Sequence, residues 1–289
     1  MEYSRWPGDI EVMVKRLDKI HPVVSGNKLF KLKYNIENAH SKGLKRVVTF
    51  GGAWSNHLHA AAYAVKEAGL QMIAIVRGDH AVQESDMIRD IRAQGAEVHY
   101  VSRLFYAEKE TEEFKMWLIE RFGEVYIIPE GGANYLGVNG CMEILDSEDK
   151  RYTDIFCAAG TGTMASGIAL TLSEGQRLHV ISALKGGGMK EEITRKLEYF
   201  FMDRDAAREQ MENVLVYENH HRGGYAKYDP ELIQFLAHSA IPLDFVYTGK
   251  MMMALEGLIE EGHFSQRSRI LAIHSGGLQG NRGLSALKP

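Results

Sequence analysis

Cysteine is scarce in this chain. Cys141 and Cys157 are the only two in 289 residues. They form no metal-like pair, and a reduced, cytosolic setting fits them. Positive charge is not in excess: 34 Lys+Arg stand against 38 Asp+Glu, for a net charge of −4. That removes the electrostatic case for a nucleic-acid partner or an anionic membrane surface. No apolar run approaches the roughly 18 residues that a membrane span needs. The opening residues, Met1-Glu2-Tyr3-Ser4-Arg5-Trp6, lack the apolar core of a secretory signal. A metal site is missing as well. There is no H-E-x-x-H; His57 and His59, two apart on a helix, point to different sides, and His220 and His221 are adjacent in a polar loop. No G-x-x-x-x-G-K-[ST] occurs, which excludes a Walker-type nucleotide site.

What is present is an ordinary soluble composition, 45% apolar and 25% charged, long enough for one large domain or two modest ones. Apolar runs with strand character alternate with helical segments from about residue 44. Strands are expected at 46–50, 71–76, 96–101 and 125–128, with helices at 55–67, 81–94 and 108–122. A second run follows: strands at 154–158, 178–184 and 269–274, helices at 164–172, 233–237 and 250–260, and a charged surface helix with its loop over 189–212. This rhythm predicts an α/β protein with parallel sheets and helices on both faces.

In open parallel sheets ligands bind beyond the carboxyl ends of the strands. Four such ends carry glycines with polar residues: Gly51-Gly52-Ala53-Trp54-Ser55-Asn56-His57, Pro129-Glu130-Gly131-Gly132-Ala133-Asn134, Gly160-Thr161-Gly162-Thr163 and His274-Ser275-Gly276-Gly277. Any one of them reads as turn chemistry; together they mark a functional edge. In the third, the glycines, Thr161, Thr163 and the helix start that follows suit a single phosphate. The same segment, Gly160 to Ala165, also fits the G-x-G-x-x-A dinucleotide pattern. That pattern expects an acidic residue about twenty positions on, and the chain offers Lys185-Gly186-Gly187 instead. Ser55 reads as an N-cap whose helix start can receive a carboxylate, and Asn56 can donate to a phenolic oxygen. Near the N-terminus, Ser25-Gly26-Asn27-Lys28-Leu29-Phe30-Lys31 opens a helix with two lysines three apart on one face. Such a pair allows Lys28 to carry a Schiff base while Lys31 neutralises a phosphate.

Taken in order, Gly26-Asn27-Lys28 with Lys31, Ser55-Asn56-His57, Pro129 to Asn134, Gly160 to Thr163, Tyr247-Thr248-Gly249-Lys250 and His274 to Gly277 resemble the 1-aminocyclopropane-1-carboxylate deaminase / D-cysteine desulfhydrase family. These are pyridoxal-5′-phosphate enzymes of the tryptophan-synthase β-like fold, fold type II. The resemblance implies a fold of two open, twisted parallel-sheet domains. Residues 1–33 plus 137–289 would form a large cofactor-binding domain, and 34–136 a small inserted one, with the cofactor in the cleft between them. It implies Lys28 as the Schiff-base lysine and Lys31 as a phosphate contact. Asn56 would be the donor to the cofactor's phenolic oxygen, and Gly160, Thr161, Gly162 and Thr163 the phosphate cup. Ser55, Asn56 and His57 would form the loop for the substrate carboxylate. Tyr225, within Gly223-Gly224-Tyr225, and Tyr247 would be active-site tyrosines, and Ser275 the partner of the pyridine nitrogen with Thr248 beside it. Members of the family are usually homodimers acting on small amino acids.

Two positions separate the family's chemistries. Deaminases resemble one another in having Glu after the tyrosine of Tyr-x-Gly-Lys and Leu in His-x-Gly-Gly. A carboxylate there favours a protonated pyridine nitrogen. This chain has Thr248 and Ser275, the desulfhydrase pattern. The expectation is β-elimination from D-cysteine or a related small D-amino acid, to pyruvate, ammonia and sulfide. Opening of the cyclopropane acid to 2-oxobutyrate is the alternative. An NAD(P)-linked oxidoreductase resting on Gly160 to Ala165, and a catalytically silent small-ligand binder, stand as readings from other classes.

Overall fold

A computed structural model of the chain describes residues 2–78 and 84–284. β1 (Glu2–Trp6) and β2 (Ile10–Arg16) open it, followed by α1 (Asn27–Ser41). β3 (Arg46–Gly52), α2 (Asn56–Glu67), β4 (Gln71–Arg77), α3 (Asp86–Ala93), β5 (Glu97–Val101), α4 (Arg103–Ala107), α5 (Glu112–Phe122) and β6 (Tyr126–Ile128) then alternate. After α6 (Tyr135–Cys141) come β7 (Asp154–Ala159), α7 (Thr163–Ala169), β8 (Arg177–Ser182), α8 (Met189–Phe201), α9 (Arg204–Met211) and β9 (Val214–Tyr217). α10 (Pro230–His238), α11 (Thr248–Glu260) and β10 (Arg269–His274) complete the set.

Local chemistry explains most of these boundaries. Ser55, Ser85 and Thr111 each accept the backbone N–H of the third residue on, Leu58, Ile88 and Phe114, and so start α2, α3 and α5. Gly123, at φ 70°, ends α5 in the left-handed region. Met72 to Val76 in β4 and all six residues of β7 are buried. Continuous apolar runs of this kind suit strands covered by helices on both faces.

The strands form two sheets. One has the order β5-β4-β3-β6 and is wholly parallel. The other has the order β1-β2-β10-β7-β8-β9, parallel except for the antiparallel β1–β2 pair at its edge. Separate cores flank each sheet: Leu58, Ile88 and Ile91 pack on one face of the smaller, Tyr106, Phe114 and Leu118 on the other. The larger sheet is covered by Met164, Ile168 and Ile193 on one side and by Met251, Leu255 and Leu258 on the other.

The order of the strands places the four glycine loops. In the smaller sheet the chain leaves β3 toward β4 and β5 and returns on the opposite flank at β6. In the larger it leaves β7 toward β8 and β9 and returns at β10. Those reversals are switch points, where a crevice opens at the carboxyl ends of the strands. The loops after β3, β6, β7 and β10 are the four singled out in the sequence.

Several expectations need correction. The sheets are parallel as expected, but an antiparallel pair, β1–β2, is added at one edge, and strands begin well before residue 44. β2 alternates buried Ile10, Val12 and Val14 with more open positions, a period-2 signal on the chain's first strands. The charged stretch 189–212 is two amphipathic helices with Met189, Ile193, Leu197, Ala207 and Met211 buried, and β9 follows it. The helix expected at 108–122 begins only at Glu112; residues 108–111 form a turn that follows the short α4. The start of the helix expected at 81–94 lies outside the described residues; α3 begins at Asp86.

Candidate active site

A cavity of about 580 Å³ lies where the four loops converge. Lys28, Lys31, Ser55, Asn56, His57, Gly160, Thr161, Gly162, Tyr225, Tyr247 and Ser275 line it. Two of the expected site residues do not. Thr163 is fully buried behind Thr161, its hydroxyl 2.9 Å from that of Thr161. Thr248 is a correction: it too is fully buried, and its Oγ1 lies 2.6 Å from Asp244 Oδ1. A carboxylate only accepts, so the hydroxyl proton of Thr248 is committed to Asp244. It leaves no donor for a ring nitrogen.

The two lysines owe their position to one tight crossing. Gly26 caps α1 with φ 71°, and a Cβ there would lie 1.9 Å from Ser275 O. Only glycine lets the start of α1 pass so close to the loop after β10. Asn27 N donates to Ser275 O at 3.2 Å. Lys28 then points into the cavity, donating to Asn27 Oδ1 at 2.7 Å. Burial, and then the neighbouring charge of Lys31, pull the Lys28 ammonium down to about 7. Lys31 is also lowered, by burial first, and its Nζ lies 3.4 Å from Thr161 Oγ1. The hydrogen-bond partners of the two lysines, Asn27 and Thr161, are both neutral.

Opposite them, Ser55 caps α2 by accepting from Leu58 N at 3.2 Å. Asn56 lies under the loop after β10: a Cβ on Gly277 would stand 2.9 Å from Asn56 Nδ2, and Asn56 Oδ1 is buried without a partner. His57 Nε2 lies 2.7 Å from Thr49 Oγ1, and that hydroxyl donates to Ile128 O at 2.8 Å. Thr49 has one proton, already given to a carbonyl, so His57 must donate from Nε2 and keep a bare lone pair on Nδ1. That Nδ1 is buried without a partner. Burial and the two lysines push His57 down to about 3, so the ring is neutral at any ordinary pH. A neutral imidazole with a bare acceptor cannot donate to a carboxylate from Nδ1. Of the expected carboxylate loop, Ser55, Asn56 and the backbone N–H groups are left as donors.

The remaining wall is aromatic. Tyr225 and Tyr247 meet edge to face with centroids 6.2 Å apart. Burial pushes both phenols up, so both remain protonated near neutral pH. Gly160 makes room for Tyr247: a Cβ there would come 3.0 Å from its ring and hydroxyl.

Sequence reasoning missed Asp244. It is almost fully buried and accepts from the backbone N–H groups of Val246, Tyr247 and Thr248 at 3.0, 2.9 and 2.8 Å. It thereby fixes the start of α11 and the Tyr247 it carries. An Asp four residues before a Thr, just ahead of an apolar helical run, is a capping signal that could have found it. Arg77 and Glu130, at the ends of β4 and β6, also line the cavity. Glu130 stands in one of the four loops singled out in the sequence, whereas no signal distinguished Arg77 from an ordinary surface charge.

These residues fit pyridoxal 5′-phosphate. Lys31 with Thr161 and the Gly160–Gly162 loop would hold its phosphate, Lys28 its aldehyde carbon, Asn56 its phenolic oxygen and Ser275 its ring nitrogen. No group of three or more metal-ligating side chains occurs among the described residues, and no described helix is long and apolar enough to cross a membrane.

Residues 7–276 match the family model for pyridoxal-phosphate dependent enzymes. A putative 1-aminocyclopropane-1-carboxylate deaminase of Thermotoga maritima is 34% identical, over 93% of this chain and 89% of its own. A bifunctional D-cysteine desulfhydrase/1-aminocyclopropane-1-carboxylate deaminase of Arabidopsis thaliana is 29% identical, over 95% of this chain and 74% of its own. Among solved structures, an ACC deaminase homologue superposes with a TM-score of 0.76 at 29% identity, over 94% of this chain and 86% of that one. The chain belongs to the pyridoxal-phosphate dependent enzymes of fold type II, in the group that holds the 1-aminocyclopropane-1-carboxylate deaminases and D-cysteine desulfhydrases.

Proposed function

We propose that this enzyme removes the β-substituent of a small D-amino acid, D-cysteine first among them. With one water, D-cysteine would give pyruvate, ammonia and hydrogen sulfide. Pyridoxal 5′-phosphate supplies an aldehyde that condenses with amines and a ring that takes up the electrons released at Cα. The chain's own groups do the rest. Ser55, Asn56 and the start of α2 receive the substrate carboxylate. Lys28, lowered to about 7, takes the Cα proton as a neutral amine once the substrate has displaced it. Protonated Tyr225 and Tyr247 flank the departing thiol. The small domain, 34–136, closes one side of the cleft, and the working unit is a cytoplasmic homodimer.

One observation carries this choice. At the loop after β10 Ser275 lines the cavity, and the side chain at 248 is turned to Asp244. No carboxylate at position 248 is available to hold a proton on a ring nitrogen, so the electron sink is moderate. That suits loss of a good leaving group after removal of an acidic Cα proton. The second reading, ring opening of 1-aminocyclopropane-1-carboxylate, has in its favour the name of the relative in Thermotoga maritima.

Product analysis separates the two. Loaded enzyme supplied with D-cysteine is expected to release pyruvate and sulfide in equal amounts, with 2-oxobutyrate from the cyclopropane acid at a small fraction of that rate. Dominant 2-oxobutyrate formation would overturn the choice of substrate.

A further inference from the structure

Lys250 belongs to the Tyr-Thr-Gly-Lys motif, yet it has no place in the chemistry above. It does not line the cavity. Its side chain is 1% exposed, and its only hydrogen bond among the described residues runs 2.7 Å to Gly224 O. Gly224 lies in a strap of unusual backbone: Arg222, Gly223, Gly224 and Ala226 have φ of 51°, 92°, 111° and 53°. Two of these are not glycine, so the conformation costs energy and must be held by its surroundings. Arg222 is anchored to Asp229 and Glu231. Gly224 O also accepts from Lys227 N at 3.1 Å, which closes the strap on itself. Between Gly224 and Ala226 sits Tyr225, 47% exposed, its ring against Tyr247.

We propose that Lys250 is a positioning residue: a buried strut that ties the 222–226 strap to α11 and so fixes Tyr225 against Tyr247 at the cavity. The two tyrosines come from distant stretches of chain. Tyr247 lies three residues before Lys250, at the start of the same helix. One bond from Lys250 to the carbonyl next to Tyr225 therefore locks the two rings to a common frame. Burial lowers the ammonium to about 8, and Asp244 and Asp229 hold it from falling further. A lysine buried for packing alone would be better replaced by methionine, because an ammonium group loses its hydration on burial. Bonding to a single carbonyl that positions a cavity residue gives that burial a purpose.

The inference rests on the proposed role of Tyr225 for its kinetic consequences alone. Hydrogen exchange over residues 219–228, in the pyridoxal-phosphate-loaded wild type and Lys250→Met, reads the tether without reference to catalysis. Exchange in the strap should accelerate about tenfold or more, as expected when a charged hydrogen bond is lost, while β7, β10 and the far half of α11 stay unchanged. With D-cysteine, kcat should fall about tenfold at unchanged cofactor content, the cost of one lost charged hydrogen bond, and adding Tyr225→Phe should lower it no further. Should Lys250→Met not fold, Lys250→Gln, whose amide is too short to reach the carbonyl, carries the same expectations. Unchanged strap exchange overturns the proposal. So does acceleration spread through α11, or a double variant whose losses multiply. If Tyr225→Phe alone behaves as wild type, the role given to Tyr225 fails, and strap exchange still decides the strut.

Discussion

At the scale of single residues, the site works because burial has set protonation states that water would not allow. Lys28 is near 7 where a free lysine sits at 10.5. A lysine lowered in this way is largely a neutral nucleophile just above neutrality. Stripped of cofactor, the protein should therefore take up pyridoxal phosphate with a rate that rises as pH passes through about 7 and is level by about 9. A rise centred near 10 would show a solvated, ordinary lysine. His57 carries the opposite lesson for stability. Its folded value is lowered from 6.5 to about 3, so the unfolded chain binds a proton that the folded one refuses. The stability it contributes is present above pH 6.5 and is lost as pH falls from there toward 3. In urea titrations across that window His57→Gln should lose stability less steeply with acidity than wild type. Parallel curves would show that the ring protonates freely when folded. That Lys28, Ser55, Asn56 and the Gly160 loop belong to one cavity was legible in the sequence, because each stands in a contiguous motif. The inward turn of Thr248 was not, since it depends on Asp244, whose partnership is made by the fold of one loop.

At the scale of elements, the crossing of α1 over the loop after β10 decides whether a site exists at all. Gly26→Ala puts a methyl group 1.9 Å from Ser275 O at a backbone conformation with φ 71°. It should cost more than about 2 kcal/mol in stability and abolish cofactor retention, as read by thermal melting and bound-cofactor content. Full retention would mean that α1 can start elsewhere. The alternation of strands and helices from residue 44 was readable because buried parallel strands are short continuous apolar runs between capped helices. β9 was harder, being four residues behind a charged stretch. The turn at Glu108 to Glu110 was hidden because its residues look no different from a helix surface; the N-cap Thr111 is the signal that marks the true start of α5. The edge pair β1–β2 is antiparallel, and an alternating strand such as β2 is recognisable only when the first residues are scanned with the same period-2 test as the rest.

At the scale of the whole molecule, the cavity belongs to both sheets. Ser55 to His57 come from the smaller, Gly160 to Gly162 and Ser275 from the larger, and α1 brings Lys28 and Lys31 between them. Arg282, in the turn after β10, pairs with Asp90 of α3 and so links the two sides outside the cavity. A ligand held by both sheets should raise the melting temperature of both together. At a hundred times its dissociation constant, pyridoxal phosphate should add about 2.7 kcal/mol to one cooperative transition. Two transitions, only one of them shifted, would place the ligand on one sheet alone. Everything above turns on the amine of Lys28. Reduction of the loaded enzyme with borohydride, followed by peptide mapping, should find the pyridoxyl group on Lys28 and on no other lysine. A label on Lys31, on Lys250 or elsewhere in the chain would contradict the account at its centre.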